Sequence, residues 1–594
     1  MRPVLARCRR LAVFALVLSV VSGTVSAEAA TPEFSVSGSG WGHGVGLSQY
    51  GAKAMAADGA TYKQILDRYF TGTSVGHVST IGPGSFGFSD LMPLWVGLMQ
   101  DSGRVSFNVA PGSAQLCFDG AIGCLATTRT DTNYRFGADE TGGCVFFQIS
   151  ASGASSRIGT SGPCNASVRP MSDLTTINLP FKARSYRHGT LRFRPASSSS
   201  GIHTSYQIGV TDYMKGISEV PESWPRAAIE AQVVVSRSYA VWTALHRGSS
   251  GSFTAQRKDE CYCNLRDDAS DQVFRGWTGE SSHPEWVGAV ASTGQDVLSY
   301  GGAVALGLHS SSSGGATENY VDVFGGVGYP YLATVDDSPA FSDSAQDPHV
   351  SWKAGYSQAS LAATYGFSWV FDAEVVDRNP SGSARTIRIA GIVNGKPEEL
   401  IVTAVEFRAA LSLRSTTFEI IATSSFSDVQ TDHLFAGEIL GLRELGVTVG
   451  CTATNFCPDQ DVTRAEMAAF LVRALDLTMT SEEDPFRDDD GHDLEVQIAV
   501  LHGNGITAGC SIQRYCPEHG ITRAEMAAFL VRAFHLPPTK LANQFTDVDD
   551  HFFSAEIAVL GASGITTGCT ATKFCPDRLL TRAEMAGFLV RALA

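Results

Sequence analysis

The sequence predicts a multidomain α+β protein: a β-rich region built around a buried central helix, followed by an all-α triplet of repeated modules. Three observations carry that prediction. The last part of the chain repeats itself three times in register. Residues from about Leu94 to Phe193 alternate or run apolar between Gly, Ser and Asp turns, as strands do. A run from about Pro225 to Leu245 is rich in Ala, Val and Gln and meets no glycine until Gly248, as a packed helix requires. With 594 residues the chain is too long for a single core.

The first residues hold four arginines, then the apolar run "LAVFALVLSVVSG", then small residues around Ala27 and Ala29. That order predicts a secretory signal peptide over 1–27. The run is short for a membrane span and nothing later exceeds it, so no transmembrane segment is expected in the mature chain. Cys8 precedes the apolar run, which argues against a lipoprotein anchor. The expected location is therefore secreted, at the cell wall or cell surface. The formal net charge of −16 becomes more negative once the leader arginines are removed. Such an acidic chain lacks the basic footprint of a nucleic-acid binder. Of 13 cysteines, those beyond Cys8 form an even set, and disulfides are the default in an exported protein.

The modules span 423–480, 481–540 and 541–594, with copies starting at Phe426, Phe486 and Phe545. Their first cysteines, Cys451, Cys510 and Cys569, keep a 59-residue step. Each copy reads as helix, turn, helix. The first helix holds Ile439–Leu442 and stops at Gly446; Thr463 caps the second, with Glu466 completing a capping box. Met467, Phe470 and Leu471 follow as an apolar stripe. The pairs Cys451/Cys457, Cys510/Cys516 and Cys569/Cys575 suit a staple inside each loop, since zinc would want four ligands and no copy offers a neighbouring histidine pair.

Before the modules, the expected segments are 28–80, carrying the glycine-rich stretch "GSGWGHGVGLSQYGA", then 81–200, strand-like and stapled by Cys117, Cys124, Cys144 and Cys164, then 201–422. Four cysteines allow three connectivities, and the sequence does not choose among them. Six glycines in the quoted stretch suggest a phosphate-cradling loop, but the Lys-Ser/Thr pair of such loops is missing. Glu219 sits in "ISEVP" among apolar residues, with Pro221 and Pro225 pinning the backbone after it. An apolar setting raises a carboxyl pKa, the condition for a proton donor near neutrality.

Two resemblances organise these features. The repeats resemble S-layer homology modules through "F-D-V", a histidine in the first helix, "GI-x-x-G", an aromatic followed by Pro, and "TRAE". The family's three modules form a pseudo-trimer whose grooves hold an anionic secondary cell-wall polysaccharide. The resemblance implies that Arg464, Arg523 and Arg582 contact its acidic groups; the alternative is pairing with nearby glutamates on a solvated face. Copy two reads "HDLEV" without the usual aromatic and is expected to bind more weakly.

The central region is similar to the SpoIID/LytB (stage II sporulation protein D-like) family. Its helix motif is matched by Tyr213, Gly216, Glu219, Pro221, Trp224, Pro225, Ala231, Gln232, Arg237, Ser238, Tyr239 and Ala240. "DDASDQVFRGW", "LHSSSSGGATENYVDVFGG" and "EFRAALSLRSTTFEI" continue the match in order. In the usual order a glycine motif follows "L-R-S-x-x-F"; here it stands at Phe34–Ala52 instead. The chain therefore reads as a permuted member, and Gly40–Gln49 is expected beside Glu219 and Ser310–Asn319 in space.

The family's implied activity is peptidoglycan lytic transglycosylase, a carbon–oxygen lyase acting on glycan strands, with Glu219 as the catalytic acid. The implied substrate contacts are His43, Ser48, Gln49, Ser311, Ser312, Thr317, Asn319 and Arg237; packing support is the competing reading for Arg237 and Gln232, and a loop-holding hydrogen bond for His43. An ordinary glycosidase would need a second carboxylate, for which Glu222, Glu318 and Asp271 are the candidates. No metal or cofactor is expected. Some relatives bind zinc near the "Q-V-Y" motif, but Asp271 stands at one cysteine position, and the partners of Cys261 and Cys263 stay open. LytB-type relatives enhance an amidase, so a non-catalytic wall-binding modifier with a wall amidase as partner is the alternative. A purely structural surface-layer protein is weakened by the Ser-rich and helix motifs.

Overall fold

The computed structural model describes residues 34–593 apart from 82–92, 141, 197–198, 249–252, 394–395, 423–425, 431–432, 453–454, 481–484 and 542. The expected signal peptide and the first residues of the 28–80 segment lie outside the described residues.

Two sheets form the β-rich region. One has seven strands, in the order Leu265–Arg266, Leu94–Ser102, Ile202–Ile208, Gly189–Pro195, Ala166–Pro170, Ala114–Phe118 and Ala126–Thr127. The other has six, with Arg104–Val109 paired to both Asn133–Ala138 and Ile177–Leu179. Alternation in "RVSFNV" puts Val105, Phe107 and Val109 inward. Phe107, Phe136, Phe146 and Phe193 fill the core, the rings of Phe136 and Phe193 stacked at 4.4 Å. The four cysteines join as Cys117–Cys124 and Cys144–Cys164.

Helix Arg226–Arg247 serves two cores at once. Ile229, Val233, Ala240 and Val241 pack toward the sheets, and Ala231, Val234 and Val235 toward a second cluster containing Val45, Leu47, Ile65, Leu66 and Tyr69. Three consecutive buried valines explain why this helix shows no apolar stripe in sequence. Each such side chain contributes about 1.5–3 kcal/mol of transfer free energy when fully buried.

The N-terminal segment is threaded through the central region. Strand Phe34–Gly38 lies between Trp352–Tyr356 and Phe418–Ala422, antiparallel to both. Beyond it, Leu47–Ser48 pairs in parallel with His309–Ser310, and single bridges join Trp41 to Ser312 and Val45 to Glu318. The expected juxtaposition of Gly40–Gln49 with Ser310–Asn319 is thus present. Helices Gln49–Ala57 and Tyr62–Tyr69 follow, the first capped by Ser48 and the second opened by a capping box at Thr61.

Each C-terminal copy contributes two helices, Ala436–Glu444 with Arg464–Ala474, Glu495–Gly503 with Arg523–Ala533, and Ser554–Ala562 with Arg582–Leu593. The capping box predicted at Thr463 recurs at Thr522 and Thr581. The loop disulfides join Cys451–Cys457, Cys510–Cys516 and Cys569–Cys575. An aspartate in each "F-x-D" accepts the N–H groups that follow the loop, as Asp428 does from Phe456 and Cys457 at 2.7 and 2.6 Å. The copies are not wholly helical. A closed ring of backbone bonds joins them: Val462 N–H donates to the Leu580 carbonyl, Leu580 to Ile521, and Ile521 to Val462, at 2.8, 3.0 and 2.8 Å. Single β-bridges flank this ring, which gives three tandem copies a pseudo-threefold arrangement about a shared core.

Candidate active site

Glu219 lies in the turn between helices Val210–Lys215 and Arg226–Arg247. The prolines direct its side chain outward, about a fifth exposed, into a cavity of about 540 Å³. His309 approaches the carboxylate, Nε2 to Oε2 at 3.9 Å. Burial holds the His309 imidazole below its ordinary pKa, against the upward pull of Glu219. Gln49 binds the two halves of the site together: its Nε2 donates to the Glu219 carbonyl at 3.3 Å and to Gln232 Oε1 at 3.4 Å. Gln232 Nε2 in turn donates to Ser236 Oγ at 3.0 Å. The N-terminal glycine segment therefore supplies one wall of the Glu219 cavity.

His43 is on that wall. Its Nδ1 accepts the Val45 N–H at 3.0 Å, and its ring meets the face of Phe324 at 5.3 Å. Burial lowers its pKa from 6.5 to about 4, with His309 and Arg408 adding to the shift. A neutral ring accepting at Nδ1 carries its proton on Nε2. The sign of the pH linkage follows. The unfolded chain protonates this position as pH falls through 6.5, the folded chain only near 4, so the residue costs stability on acidification across that window. The drop in melting temperature between about pH 7 and about pH 4.5 should be smaller in His43→Gln than in the unaltered protein; an equal or larger drop would show that the imidazole is not held neutral.

Several expected contacts are used elsewhere. Ser48 is fully buried and accepts the Gly51 N–H as a helix cap. Thr317 is fully buried, donating to the Ala333 carbonyl and accepting from Val335. Asn319 caps helix Tyr320–Phe324 through the Val321 N–H. Arg237 points away from the cavity and donates to the carbonyls of Asp296 and Val290 and to Thr293 Oγ1, which is the packing role. Ser311 and Ser312 meet the N-terminal glycine segment through backbone bonds, to Tyr50 and Trp41; Ser312 is buried and Ser311 half-buried. These polar side chains sit in places where a buried donor or acceptor needs a partner, and the fold supplies one.

Two of the three candidate second carboxylates are also committed, and Glu318 keeps one buried oxygen without a hydrogen-bond partner. Glu222 accepts the Glu285 and Trp286 N–H groups at 2.6 and 3.1 Å, capping a helix. Glu318 is buried and accepts from Ser381 at 2.8 Å, and burial raises its pKa. Asp271 lines the cavity, but it accepts from Tyr239 Oη, Arg247 Nη1 and the Arg266 N–H at 2.7, 2.7 and 2.8 Å. Zinc does not fit here: Cys261 and Cys263 are bonded to each other across Tyr262, and a guanidinium already neutralises Asp271. The loop aspartates Asp428 and Asp488 approach cysteines too, but those sulfurs are in disulfides and the carboxylates accept backbone N–H groups.

Arg464, Arg523 and Arg582 are buried between copies, not on a solvated face. Arg464 pairs with Glu525, Arg523 with Glu584 and Arg582 with Glu466, at 3.3, 3.3 and 2.6 Å, each arginine reaching the next copy and the third closing on the first. Each Nε also donates to a loop carbonyl, of Tyr515, Phe574 or Phe456. A groove of about 650 Å³ between the first helix of copy one and the loop and second helix of copy three is lined by Arg523, Arg578, Arg591, Phe435 and Phe588 among others.

A family model described as "Stage II sporulation protein" (SpoIID) matches residues 198–300, the stretch that holds Glu219, the long helix and the Asp271 loop. A second, the S-layer homology domain, matches 425–468 and 544–586, copies one and three. The chain carries a SpoIID domain and S-layer homology domains. Similar curated proteins include an S-layer protein of Bacillus thuringiensis subsp. finitimus, 33% identical over 29% of this chain and 21% of its own length. An amidase enhancer of Bacillus subtilis (strain 168) is 26% identical over 38% of this chain and 30% of its own. An uncharacterized cell wall amidase of Bacillus anthracis is 29% identical over 23% of this chain and 26% of its own. The chain thus spans only a fifth to a third of these relatives. Together they mark a secreted protein anchored at the cell wall. Among the described residues no helix is long and apolar enough to cross a membrane.

His309 is the site residue of the SpoIID domain region that sequence reasoning passed over. It lies in "LHSSSSGG", where the family pattern has an aromatic before the serines, and a histidine in that place was the available signal. Tyr239 and Phe324 stood in quoted motifs but carried no mark that they face a cavity.

Proposed function

We propose that this chain cleaves peptidoglycan glycan strands as a lytic transglycosylase held to the wall by its C-terminal modules. The observation that carries the reading is Glu219 opening into a cavity against His309, with the permuted glycine segment as a wall. Protonated Glu219 donates to the glycosidic oxygen between N-acetylmuramic acid and N-acetylglucosamine. The bond from that oxygen to the muramyl anomeric carbon breaks, and an oxocarbenium-like state forms. The muramyl O6 hydroxyl then attacks the same carbon, giving up its proton to the Glu219 carboxylate and closing a 1,6-anhydro ring. No water is consumed, and one carboxyl group serves as acid and then base. The prior commitments of Glu222 and Asp271, and the absence of Glu318 from the lining of the Glu219 cavity, support this over a two-carboxylate hydrolysis. His309 stands beside the acid at 3.9 Å, and the Nε2–H of His43 is placed to donate to a sugar oxygen.

The test is purified protein incubated with glycan strands stripped of peptides. Anhydro-sugar ends by mass spectrometry are expected; reducing ends with incorporated solvent oxygen would rule the mechanism out.

A second reading is favoured by the amidase enhancer relative: a non-catalytic modifier that raises the turnover of a separate wall amidase. It predicts such enhancement without anhydro products.

The modules would hold an anionic secondary wall polysaccharide in the inter-copy groove, with Arg591 as its cation and Arg578 and Arg523 sharing Glu584 beside it. Removing residues from about Ser425 onward should take co-sedimentation with purified walls down by about tenfold or more. Retention at the level of the full chain would assign wall binding to the central region instead.

A further inference from the structure

The cavity at Glu219 does not end at its aromatic wall. Tyr239, Leu308 and Phe324 are shared with a second cavity of about 210 Å³, closed by Trp242, His246 and Tyr320 near the end of the long helix. Nothing in the proposed chemistry uses this space.

Its walls are held in place. The Trp242 indole stacks on the His246 ring, centres 3.7 Å apart and planes 23° from parallel, and Tyr329 meets it edge-on. Across the gap, Tyr320 and Phe324 pack at 5.1 Å on one short helix. Leu306 and Leu308 add aliphatic surface. The cation at the rim, Arg247, is paired with Asp271 at 2.7 Å, so the pocket presents no unbalanced charge. Rigid aromatic faces, aliphatic surface and a neutral rim suit a neutral ring with one apolar face, not an acidic group.

We propose that this pocket is a sugar subsite taking one N-acetylhexosamine ring of the strand, adjacent to the unit at Glu219. The ring's C–H face lies on Trp242 and its acetamide methyl points toward Leu306 and Leu308. The inference rests on the glycan reading of the Glu219 cavity.

The experiment uses the full chain carrying Glu219→Gln and peptide-free N-acetylglucosamine oligomers, with calorimetry and tryptophan fluorescence as readouts. Binding of the hexamer should quench tryptophan emission. Trp242→Ala in that background should weaken the hexamer by about tenfold or more, as loss of a buried aromatic anchor does. Because Trp242 also packs against the core, Phe324→Ala is the second variant; its side chain is 49% exposed, and it should weaken binding in the same direction. The deacetylated hexamer, which keeps the ring face and lacks the methyl, should bind more weakly than the acetylated one and still lose affinity in Trp242→Ala. Hexamer affinity within twofold of the parent in both variants would overturn the subsite while leaving the cleavage reading intact. So would dependence on Trp242 seen only with peptide-bearing strands, which would assign the pocket to a stem-peptide side chain. A parent that binds no glycan of any kind overturns both.

Discussion

Glu219→Gln should lower the rate of anhydro-end formation from peptide-free glycan strands by roughly 10²- to 10⁴-fold, the range a positioned general acid contributes. The loss should fall on kcat, because glutamine keeps the shape of the side chain and gives up only the transferable proton. Stability should stay within about 0.5 kcal/mol, since the side chain is partly exposed and His309 stands 3.9 Å away, beyond hydrogen-bond distance. Wall binding should not change, because the modules are separate from the site. A variant that still forms anhydro ends at near the parental rate removes Glu219 from the chemistry. A parent that forms none, yet speeds a wall amidase equally with and without the substitution, selects the modifier reading.

The second large effect is expected at a glycine. Gly46 has φ +80° and stands between buried Val45 and Leu47, where a methyl group would run into the Leu308 carbonyl. Gly46→Ala therefore combines a left-handed conformation with a backbone collision. The two together should cost about 2–4 kcal/mol and lower the melting temperature by roughly 5–10 °C. Activity should fall as well, because Leu47–Ser48 pairs with the strand carrying His309. Gly59 is the control. Its φ is +93°, but no atom lies within 4 Å of an added methyl group, so Gly59→Ala reports the conformational cost alone, about 1–2 kcal/mol. Equal effects at the two positions would mean that the close approach to Leu308 is not what the glycine serves.

The contrast between these glycines shows how far the sequence reaches. Glycine at every second position in Gly38–Ala52 was legible as a segment that must lie close to another backbone, and its resemblance to a motif at the other end of the family's order named the partner. Strand Phe34–Gly38 does pair with Phe418–Ala422, and Gly40–Gly46 does run beside 308–318. Gly59 stands outside that alternation, and no atom lies within 4 Å of a methyl group added there.

The candidate site divides the same way. Glu219 could be singled out because its flanking prolines and apolar neighbours are local. Ser48, Thr317, Asn319 and Arg237 sat in the right motifs and turned out to cap helices or clamp carbonyls. A motif places a side chain along the chain; it does not say whether the hydroxyl or guanidinium faces a ligand or an orphaned backbone group, and buried orphans are filled first. His309 is the reverse case, a residue inside a quoted motif but not singled out there, which a parallel bridge carries to within 3.9 Å of the acid.

By itself the sequence determined what short-range physics controls: the three copies with their capping boxes and cysteine staples, the strand alternation of 94–193, the long Ala- and Val-rich helix, and the alternating-glycine segment. Only the tertiary structure decided which arginine meets which glutamate. Arg464, Arg523 and Arg582 each reach into the neighbouring copy, because closing three modules into a ring buries the charged face that a single module would leave in water. It also decided that His309, about 90 positions further along, stands against the Glu219 carboxylate. Partners at that separation are chosen by how whole cores pack, and no local pattern in the chain encodes that choice.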